Sequence, residues 1–355
     1  MIIPQVPVQP ERTGELAGAP VVLGYGSVAA EYAALRQAAL MVDRGFRLRM
    51  RIEGARAREM INGLVTNDIA ALSPGQGAYA AALTAKGKII ADVRIFASET
   101  SLLIDAPPRA AAGWGAMLRK FINPRLAPYS DVSASTGDIG VFGVAARKIV
   151  SGVTGVAAET LAAFAPYSHV TVTPFGSPII VARVPDLGLE GYELFTAGDG
   201  GATIRDRLLD AGATPGGLDA WEIARIEAGR PEWGVEIDDG TLVQEANLDE
   251  LHAVSYTKGC YVGQETVARV HFRGHVNRHL RGLRFVCPEP PPVHAALIGA
   301  DGKPAGDVRS AAISPRLGGI AIGMIRREVE IGTALTATWS GGECRADVCF
   351  LPFAL

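Results

Sequence analysis

The chain has 355 residues, of which 48% are hydrophobic and 20% are charged, and its formal net charge is −3. This length and composition are typical of a globular protein with two or three domains, and they exclude an intrinsically disordered chain. The sequence contains no run of 18 apolar residues, so it predicts no membrane-spanning helix. Because acidic and basic residues are nearly balanced, a nucleic-acid partner is not expected.

The start of the chain and its cysteines indicate a cytoplasmic location. Residues 1–15 contain three prolines but no basic segment followed by an apolar one, so no secretory signal is expected. The four cysteines are Cys260, Cys287, Cys344 and Cys349, and no two of them form a C-x-x-C pair. In a chain without a secretory signal this pattern predicts reduced thiols rather than disulfides, and it predicts no structural zinc site.

The predicted elements mix helices and strands along the chain. Helices are expected at residues 28–39, 55–63, 107–121, 203–211 and 218–228. Strands are expected at residues 47–52, 78–83, 89–97, 139–144, 179–184 and 191–196, and those at 78–83 and 89–97 form a predicted hairpin. Because no regular βαβ rhythm appears, the sequence predicts an α+β fold rather than a doubly wound sheet.

A proline-rich run divides the chain. Residues 288–292 hold four prolines, which cannot continue a helix or a central strand, so the run is expected to be a stiff connector. After it, short stretches of strand character alternate with glycine turns, which predicts a small, barrel-like all-β module. The predicted domains are therefore residues 1–286 and residues 287–355.

The segment at residues 258–265, Lys-Gly-Cys-Tyr-Val-Gly-Gln-Glu, concentrates reactive side chains. Its two glycines permit backbone angles that other residues resist, and they let a ligand approach closely. Lys258 lies two residues before Cys260 and would lower the pKa of the thiol if its ammonium group is close, which makes Cys260 a candidate reactive thiol. The segment also fits a tight turn with a buried cysteine, and spacing alone does not decide between the two interpretations.

This segment resembles the signature of the YgfZ-type folate-binding proteins, a branch of the glycine-cleavage T-protein superfamily. The resemblance continues into the flanking residues 244–249, 266–269 and 272–274. A weaker similarity to the superfamily covers nearly all of the chain, at residues 62–68, 77–79, 86–92, 191–194, 225–229 and 314–318. It implies a T-protein fold, with ferredoxin-like α+β halves around a central folate opening and a small C-terminal β-barrel.

The resemblance also implies a site for tetrahydrofolate or one of its one-carbon derivatives. The positions that match the folate contacts of T-proteins are Tyr79, Asp92, Glu193 and Arg225. A carboxylate such as Glu193 accepts two hydrogen bonds from a pterin ring, and the ring of Tyr79 offers a stacking face. An arginine such as Arg225 helps to hold an anionic glutamyl tail.

The signature segment adds further candidates to this site. We expect Lys258, Tyr261 and Gln264 to contact the folate, and Cys260 and Asp92 to be the catalytic residues. No residue is assigned to a metal.

Two departures from the T-protein pattern affect the expected activity. T-proteins typically carry Gly-Tyr-Thr-Gly-Glu before the pterin glutamate, whereas residues 185–190 read Pro-Asp-Leu-Gly-Leu-Glu, and the acidic pair around the catalytic acid is reduced to Ala91-Asp92. We therefore expect a folate-binding accessory protein that supports iron–sulfur cluster assembly or repair through Cys260, with iron–sulfur enzymes or assembly proteins as partners. The alternative is a folate-dependent aminomethyltransferase or methyltransferase in which Asp92 handles a proton. A third possibility is a folate-free scaffold.

Three histidines offer a competing metal site. His271, His275 and His279 recur every four residues, and on a helix this spacing places them on one face. Gly274 interrupts the run, and residues 267–272 alternate like a strand, in which the spacing does not give a compact site. The sequence therefore predicts a strand here and no metal.

Overall fold

Strands outnumber helices in the part of the chain that the structure describes. The computed structural model describes residues 8–198 and 200–354, so residues 1–7 of the stretch considered for a secretory signal lie outside the described part. The α-helices are α1 (Val28–Gln37), α2 (Ala57–Asn62), α3 (Ala111–Phe121), α4 (Ala146–Thr154), α5 (Ala158–Ala163), α6 (Gly200–Asp210), α7 (Leu218–Glu227) and α8 (Gln264–Arg273). Within the described ranges, no helix has the length and apolar character needed to cross a membrane.

The strands form two sheets, one hairpin and one barrel. They are β1 (Arg12–Leu16), β2 (Ala19–Gly24), β3 (Leu40–Asp43), β4 (Leu48–Glu53), β5 (Gly77–Leu83), β6 (Ile89–Ala97), β7 (Ser101–Ala106), β8 (Tyr129–Asp131), β9 (Thr136–Phe142), β10 (His169–Val172), β11 (Ile179–Arg183), β12 (Gly191–Ala197), β13 (Thr214–Gly216), β14 (Arg278–Phe285), β15 (Ala296–Ile298), β16 (Pro304–Ser314), β17 (Gly318–Arg326), β18 (Ala334–Trp339) and β19 (Gly342–Cys349).

The first sheet has five antiparallel strands in the order β5-β6-β7-β4-β8. Side chains alternate between the two faces of a strand. Val93 and Ile95 of β6 therefore pack in the apolar core that contains Trp114 of α3. Asp92 and Arg94 of the same strand point to the opposite face, where Phe96 also lies, so this sheet has one apolar face and one face that carries buried charges.

The second sheet has six strands in the order β10-β11-β12-β9-β3-β13, and only β3 and β13 are parallel. Its outer face packs with α4 and α6, for example through Leu194 and Ile149. The alternation in β12 places Glu193 on the inner face, where it meets Arg94 of the first sheet. The two sheets therefore face each other through charged side chains and through the rings of Phe96 and Phe195, whose centroids are 5.2 Å apart.

The last six strands close a barrel in the order β14-β17-β16-β15-β18-β19. Its core is apolar and includes Leu283, Val308 and Ile325. The proline run at 288–292 connects β14 to β15, so barrel strands lie on both sides of residue 287. The predicted combination of an α+β region with a C-terminal barrel is confirmed.

The prediction of reduced cysteines is wrong for one pair. Cys287 and Cys344 form a disulfide, with their Cα atoms 6.0 Å apart, whereas Cys260 and Cys349 are free. Cys287 follows β14 and Cys344 lies on β19, and these two strands pair where the barrel closes. The proximity of the two residues comes from barrel closure, which their separation in the sequence does not reveal.

The strand predicted at residues 267–272 is also wrong, because these residues lie in α8. Val267 and Val270 are three residues apart, so they share a helical face, and the short alternating pattern suited either structure. The helix ends at Gly274, so His275 and His279 lie beyond it. Among the described residues, no group of three or more histidine, cysteine or acidic side chains is arranged to hold a metal.

Glu227, at the end of α7, joins the barrel to the rest of the molecule. Its carboxylate accepts hydrogen bonds from the hydroxyls of Tyr32 on α1, at 2.7 Å, and Ser314 on the barrel, at 2.5 Å. Its backbone carbonyl accepts one from the N–H of Phe353 at 3.0 Å. The end of α7 is therefore fixed from both sides, and the loop that follows it enters the centre of the molecule.

Candidate functional site

Tyr79 and Asp92 meet on the charged face of the five-stranded sheet. Tyr79 of β5 is paired with Arg94, two residues after Asp92 on β6, so Tyr79 and Asp92 are diagonal neighbours on one face. The Tyr79 hydroxyl donates to Asp92 Oδ2 at 3.0 Å, and the backbone N–H of Trp233 donates to Asp92 Oδ1 at 2.9 Å. Both side chains are buried. The structure thus brings together two of the predicted folate contacts.

The carboxyl group of Asp92 titrates near neutral pH. Burial raises its pKa to about 6, with a further upward effect from the charge of Glu232. Arg47 and the hydrogen bonds from Trp233 and Tyr79 act in the opposite direction. A group with this pKa exchanges its proton close to physiological pH, which general acid–base catalysis requires.

Arg230 covers the ring of Tyr79. Its guanidinium carbon lies 3.8 Å from the ring centroid, and Nη2 donates to the hydroxyl of Tyr167 at 2.6 Å. The rings of Tyr79 and Tyr167 are stacked, with centroids 6.2 Å apart. Arg230 also pairs with Asp186 at 3.4 Å. The stacking face proposed for Tyr79 is therefore shared with a guanidinium group and a second tyrosine.

Arg94 lies between the two sheets and contacts three carboxylates. Its distances are 2.5 Å to Asp105, 2.7 Å to Glu193 and 3.1 Å to Asp186. All four side chains are buried. Charge-assisted hydrogen bonds of this kind fix the geometry of each carboxylate as well as its charge.

Glu193 keeps one oxygen without a partner. Its Oε1 accepts from Arg94, but its Oε2 accepts no hydrogen bond from any described residue, although the side chain is completely buried. Both oxygens of neighbouring Asp138 also lack a partner in this part of the chain. Burial, followed by the charge of Glu193, raises the pKa of Asp138 well above its usual range. A buried acceptor without a donor is unfavourable, and a ligand with N–H groups fits it.

These residues belong to a larger central charge cluster. Its buried cations are Arg44, Arg47, Arg49, Arg94 and Arg230. Its acids are Asp92, Asp105, Asp138, Asp186, Glu193 and the less buried Glu232. Five arginines thus face six carboxyl groups, so the cluster carries no excess of positive charge when the acids are ionised.

Arg225 forms its ion pairs with acids that do not belong to the central charge cluster. It pairs with Glu236 at 2.9 Å and with Glu222 at 2.7 Å, and its Nη1 donates to the carbonyl of Arg230 at 2.5 Å. The structure therefore does not bring Arg225 to Glu193. Its guanidinium group instead supports the loop that carries Arg230.

In the signature segment, the ammonium group of Lys258 binds the backbone. Its Nζ donates to the carbonyls of Asn62, Val65 and Asn67 at 2.6, 2.8 and 2.6 Å. Burial lowers the pKa of Lys258 to about 8. The three N–H groups of Lys258 are thus all hydrogen-bonded to the backbone. Cys260 is exposed and forms no disulfide.

The second glycine of this segment is required by the packing. Gly263 has φ +86°, and a Cβ atom there would lie 2.6 Å from the carbonyl of Thr84 in the β5–β6 turn. Gly259 meets nothing within 4 Å. Tyr261 is buried in an apolar cluster that includes Tyr79, and burial raises its pKa to about 12. The Cys260 turn is therefore attached to the hairpin that carries Tyr79 and Asp92.

Gln264, the remaining predicted contact, is the first residue of α8 and is partly exposed.

The sequence analysis missed Arg94, Arg230 and Asp186. A signal for Arg94 was present, because it follows Asp92 by two residues in a strand whose residues Val93 and Ile95 are apolar. That alternation puts Arg94 and Asp92 on one face. Asp186 and Arg230 lie in loops, where periodicity gives no orientation.

Comparison with known proteins shows which family has this architecture. Residues 17–257 match the family described as the GCVT N-terminal domain, and residues 278–354 match the glycine cleavage T-protein C-terminal barrel domain. An aminomethyltransferase of Saccharopolyspora erythraea is 30% identical over 346 residues, covering 96% of this chain and 93% of that protein. An aminomethyltransferase of Frankia alni is 30% identical over 343 residues, covering 94% and 91%.

A solved structure agrees on the fold. The crystal structure of glycine cleavage system aminomethyltransferase T from Bartonella henselae superposes with a TM-score of 0.86 at 23% identity, covering 97% of this chain and 94% of that one. The predicted T-protein fold is confirmed. The two matched domains together span most of the sequence, and the chain therefore belongs to the glycine-cleavage T-protein superfamily.

Proposed function

We propose that this chain binds tetrahydrofolate in the central charge cluster. The observation that carries the proposal is Glu193 Oε2, a completely buried carboxylate oxygen without a hydrogen-bond donor among the described residues. Glu193 stands at the position that the resemblance gives to the pterin ligand, and the N–H groups of a pterin would supply the missing donor. Arg230 stacks on the ring of Tyr79 and forms a flat, polarisable wall with it. Asp186 and Arg94 join this wall to Glu193.

Calorimetry with tetrahydrofolate in oxygen-free buffer tests this proposal. We expect the wild-type chain to bind and Glu193→Gln to bind at least ~10-fold more weakly, because hydrogen bonds to charged groups contribute about 1.5–3 kcal/mol. Glu328→Gln, in an exposed ion pair with Arg326, is the matched control and should bind like wild type. Absence of binding by the wild-type chain would reject the proposal.

Bound tetrahydrofolate supplies a carrier for a one-carbon unit, and we propose that this chain uses it for aminomethyl or methyl transfer. Two observations support this use. The curated relatives are named aminomethyltransferases, and Asp92 combines a pKa of about 6 with fixed hydrogen bonds to both oxygens. Asp92 would hold or accept a proton at the reacting nitrogen, while Tyr79 keeps its carboxyl group in place.

The Asp92→Asn variant tests the transfer activity. With an aminomethylated carrier protein and tetrahydrofolate as substrates, we expect the rate to fall by about 10²–10⁴-fold, the range for loss of a general acid–base group. Cys260→Ser should keep the wild-type rate, because the reaction does not require its thiol. If Asp92→Asn retains full activity, Asp92 is not the proton carrier.

A second candidate function, support of iron–sulfur cluster assembly or repair, rests on Cys260. Its thiol is exposed and free, on a turn held by the backbone contacts of Lys258 and Gly263. Here the folate and the thiol would act on an iron–sulfur client. The test is complementation in cells that lack the protein, with the activity of an iron–sulfur enzyme as readout. If Cys260→Ser fails to restore the activity of the iron–sulfur enzyme and Asp92→Asn restores it, this function is supported. The reverse result supports aminomethyl or methyl transfer.

A further inference from the structure

A small cavity of about 260 Å³ opens beside the central charge cluster, between the β1–β2 hairpin and α7. Apolar and aromatic side chains form part of its wall, and they include Leu23, Phe46 and Trp221. Charged side chains form the rest, among them Arg44, from the chain segment that follows β3, and Glu232 of the central charge cluster. Apolar walls with a few polar groups are typical of ligand pockets.

Arg44 is buried but its guanidinium group donates no hydrogen bond to any described residue. The side chain is 1% exposed, and Nε and Nη2 both lack a partner. Its guanidinium carbon stacks 4.0 Å from the ring centroid of Trp221. The carboxylate of Glu193 lies 3.7 Å from Arg44 Nε, too far for a hydrogen bond. Arg47, three residues later, donates to both Asp105 and Glu232.

Charge balance indicates what Arg44 lacks. The central charge cluster contains five arginines and six acids, so its total charge does not require another anion. What Arg44 lacks, among the described residues, is a hydrogen-bond acceptor. A neutral carbonyl oxygen satisfies this need without adding a further negative charge to a buried site, where an unbalanced charge is costly.

We propose that Arg44 recognises the 4-oxo group of the pterin ring, beside Glu193. Arg44 provides a donor and Glu193 Oε2 an acceptor on adjacent groups. The 4-oxo pterin ring presents the complementary pair, a carbonyl oxygen at position 4 next to the N–H at position 3. Arg44 would donate to the carbonyl oxygen and Glu193 would accept from the N–H. A ring with an amino group at position 4 has no such acceptor for Arg44 and would bind more weakly. This inference rests on the proposed folate binding and assigns a specificity residue within it.

The test compares tetrahydrofolate with tetrahydroaminopterin, which carries an amino group in place of the 4-oxo group. Affinities for both are measured by calorimetry in oxygen-free buffer. We expect wild type to prefer tetrahydrofolate. Arg44→Met should weaken tetrahydrofolate binding by roughly 10- to 100-fold, the loss expected for a hydrogen bond from a charged donor. Binding of the 4-amino ligand should change much less, so the ratio of the two affinities falls.

Two further variants keep the test decisive. Arg207→Met removes an exposed arginine that stacks on Phe175 outside the site, and its affinity ratio should equal that of wild type. Arg44→Lys keeps the positive charge without the planar donor fork, and its ratio should also fall. If Arg44→Met does not fold, as judged by thermal melting, Arg44→Lys decides alone.

The outcomes separate this inference from the proposed function. If wild type binds tetrahydrofolate and the Arg44 variants leave the affinity ratio unchanged, Arg44 does not read position 4 and the inference is overturned. If wild type binds neither ligand, the proposed folate binding is itself rejected, and the role of Arg44 with it. If the ratio of the two affinities falls in the Arg44 variants and not in Arg207→Met, the result supports both the proposed folate binding and the role of Arg44.

Discussion

The central charge cluster and the Cys260 turn both bury a cation, but they satisfy it in different ways. Arg94 is matched by the side chains of Asp105, Asp186 and Glu193. Lys258 is matched by three backbone carbonyls. The first arrangement depends on several side chains at once, so its charges and pKa values change with each substitution. The second depends on the path of the backbone, so it holds a turn in place regardless of the neighbouring side chains.

This difference assigns the two regions different tasks. In the cluster, burial and the charge of Glu232 raise the pKa of Asp92, and one oxygen of Glu193 has no donor among the described residues. Both features suit recognition and proton transfer. In the turn, the backbone contacts fix the position of an exposed thiol at Cys260. Three substitutions test whether the cluster depends on charge and the turn on backbone geometry.

The largest effect is expected from Arg94→Met. It leaves three carboxylates buried without their shared cation, so the free energy of unfolding should fall by about 3–5 kcal/mol, measured by urea titration. Arg345→Met is the control: it removes the exposed ion pair with Asp347 and should change the free energy of unfolding by less than ~1 kcal/mol. Equal small losses in both variants would mean that the cluster does not depend on its charges.

An intermediate effect is expected from pH on Asp92. Its carboxyl group has a pKa of about 6 in the folded chain, against the ordinary value of 3.8. Because folding raises the pKa, the protonated carboxyl group of Asp92 stabilises the folded chain fully below about pH 4, and this stabilisation is lost as pH rises through about 6. The side chain of Asp92→Asn does not ionise, so the variant does not lose stability in this way.

The stability of Asp92→Asn relative to wild type should therefore rise between pH 4 and pH 7, by at most about 3 kcal/mol. Urea unfolding of both proteins at each pH measures the difference. A difference that stays constant with pH would show that Asp92 titrates normally.

The smallest effect is expected in the turn, from Gly263→Ala. The left-handed backbone and the carbonyl of Thr84 both oppose a side chain there, so we expect a loss of more than about 1 kcal/mol in the free energy of unfolding. Gly259→Ala is the matched control. A Cβ atom at this position meets nothing within 4 Å, so the variant should change the free energy of unfolding little. Equal results for the two variants would contradict the dependence of the turn on backbone geometry.

Much of the fold could be predicted from local patterns. The hairpin of β5 and β6 lies close to its predicted range because the turn at residues 86–88 separates two apolar stretches. The helix α7 lies close to its predicted range and ends near Gly229, as predicted. Helix α8 could not be predicted, because residues 267–272 are too short a run to separate a period of two from one of three to four. The Cys287–Cys344 disulfide depends on barrel closure, which no local pattern records.

The site was predictable only in part. The resemblance pointed to Tyr79, Asp92 and Glu193, and the structure brings them to the facing surfaces of the two sheets. The partners that determine their chemistry come from distant segments. Arg230 reaches Tyr79 from a loop about 150 residues away, and the orientation of a loop residue depends on tertiary contacts. Arg225 matched the motif, but ion pairs with Glu222 and Glu236 hold it elsewhere.

The contacts of Glu227 have a consequence for the order of folding. Its partners Tyr32 and Ser314 lie 195 and 87 residues away along the chain, and the loop that carries Arg230 begins just after it. Contacts between such distant segments form slowly, because the intervening chain must be closed first. We therefore expect the tyrosine–arginine wall of the site to be among the last parts to form, so that a partly folded chain has its sheets before it has its ligand site.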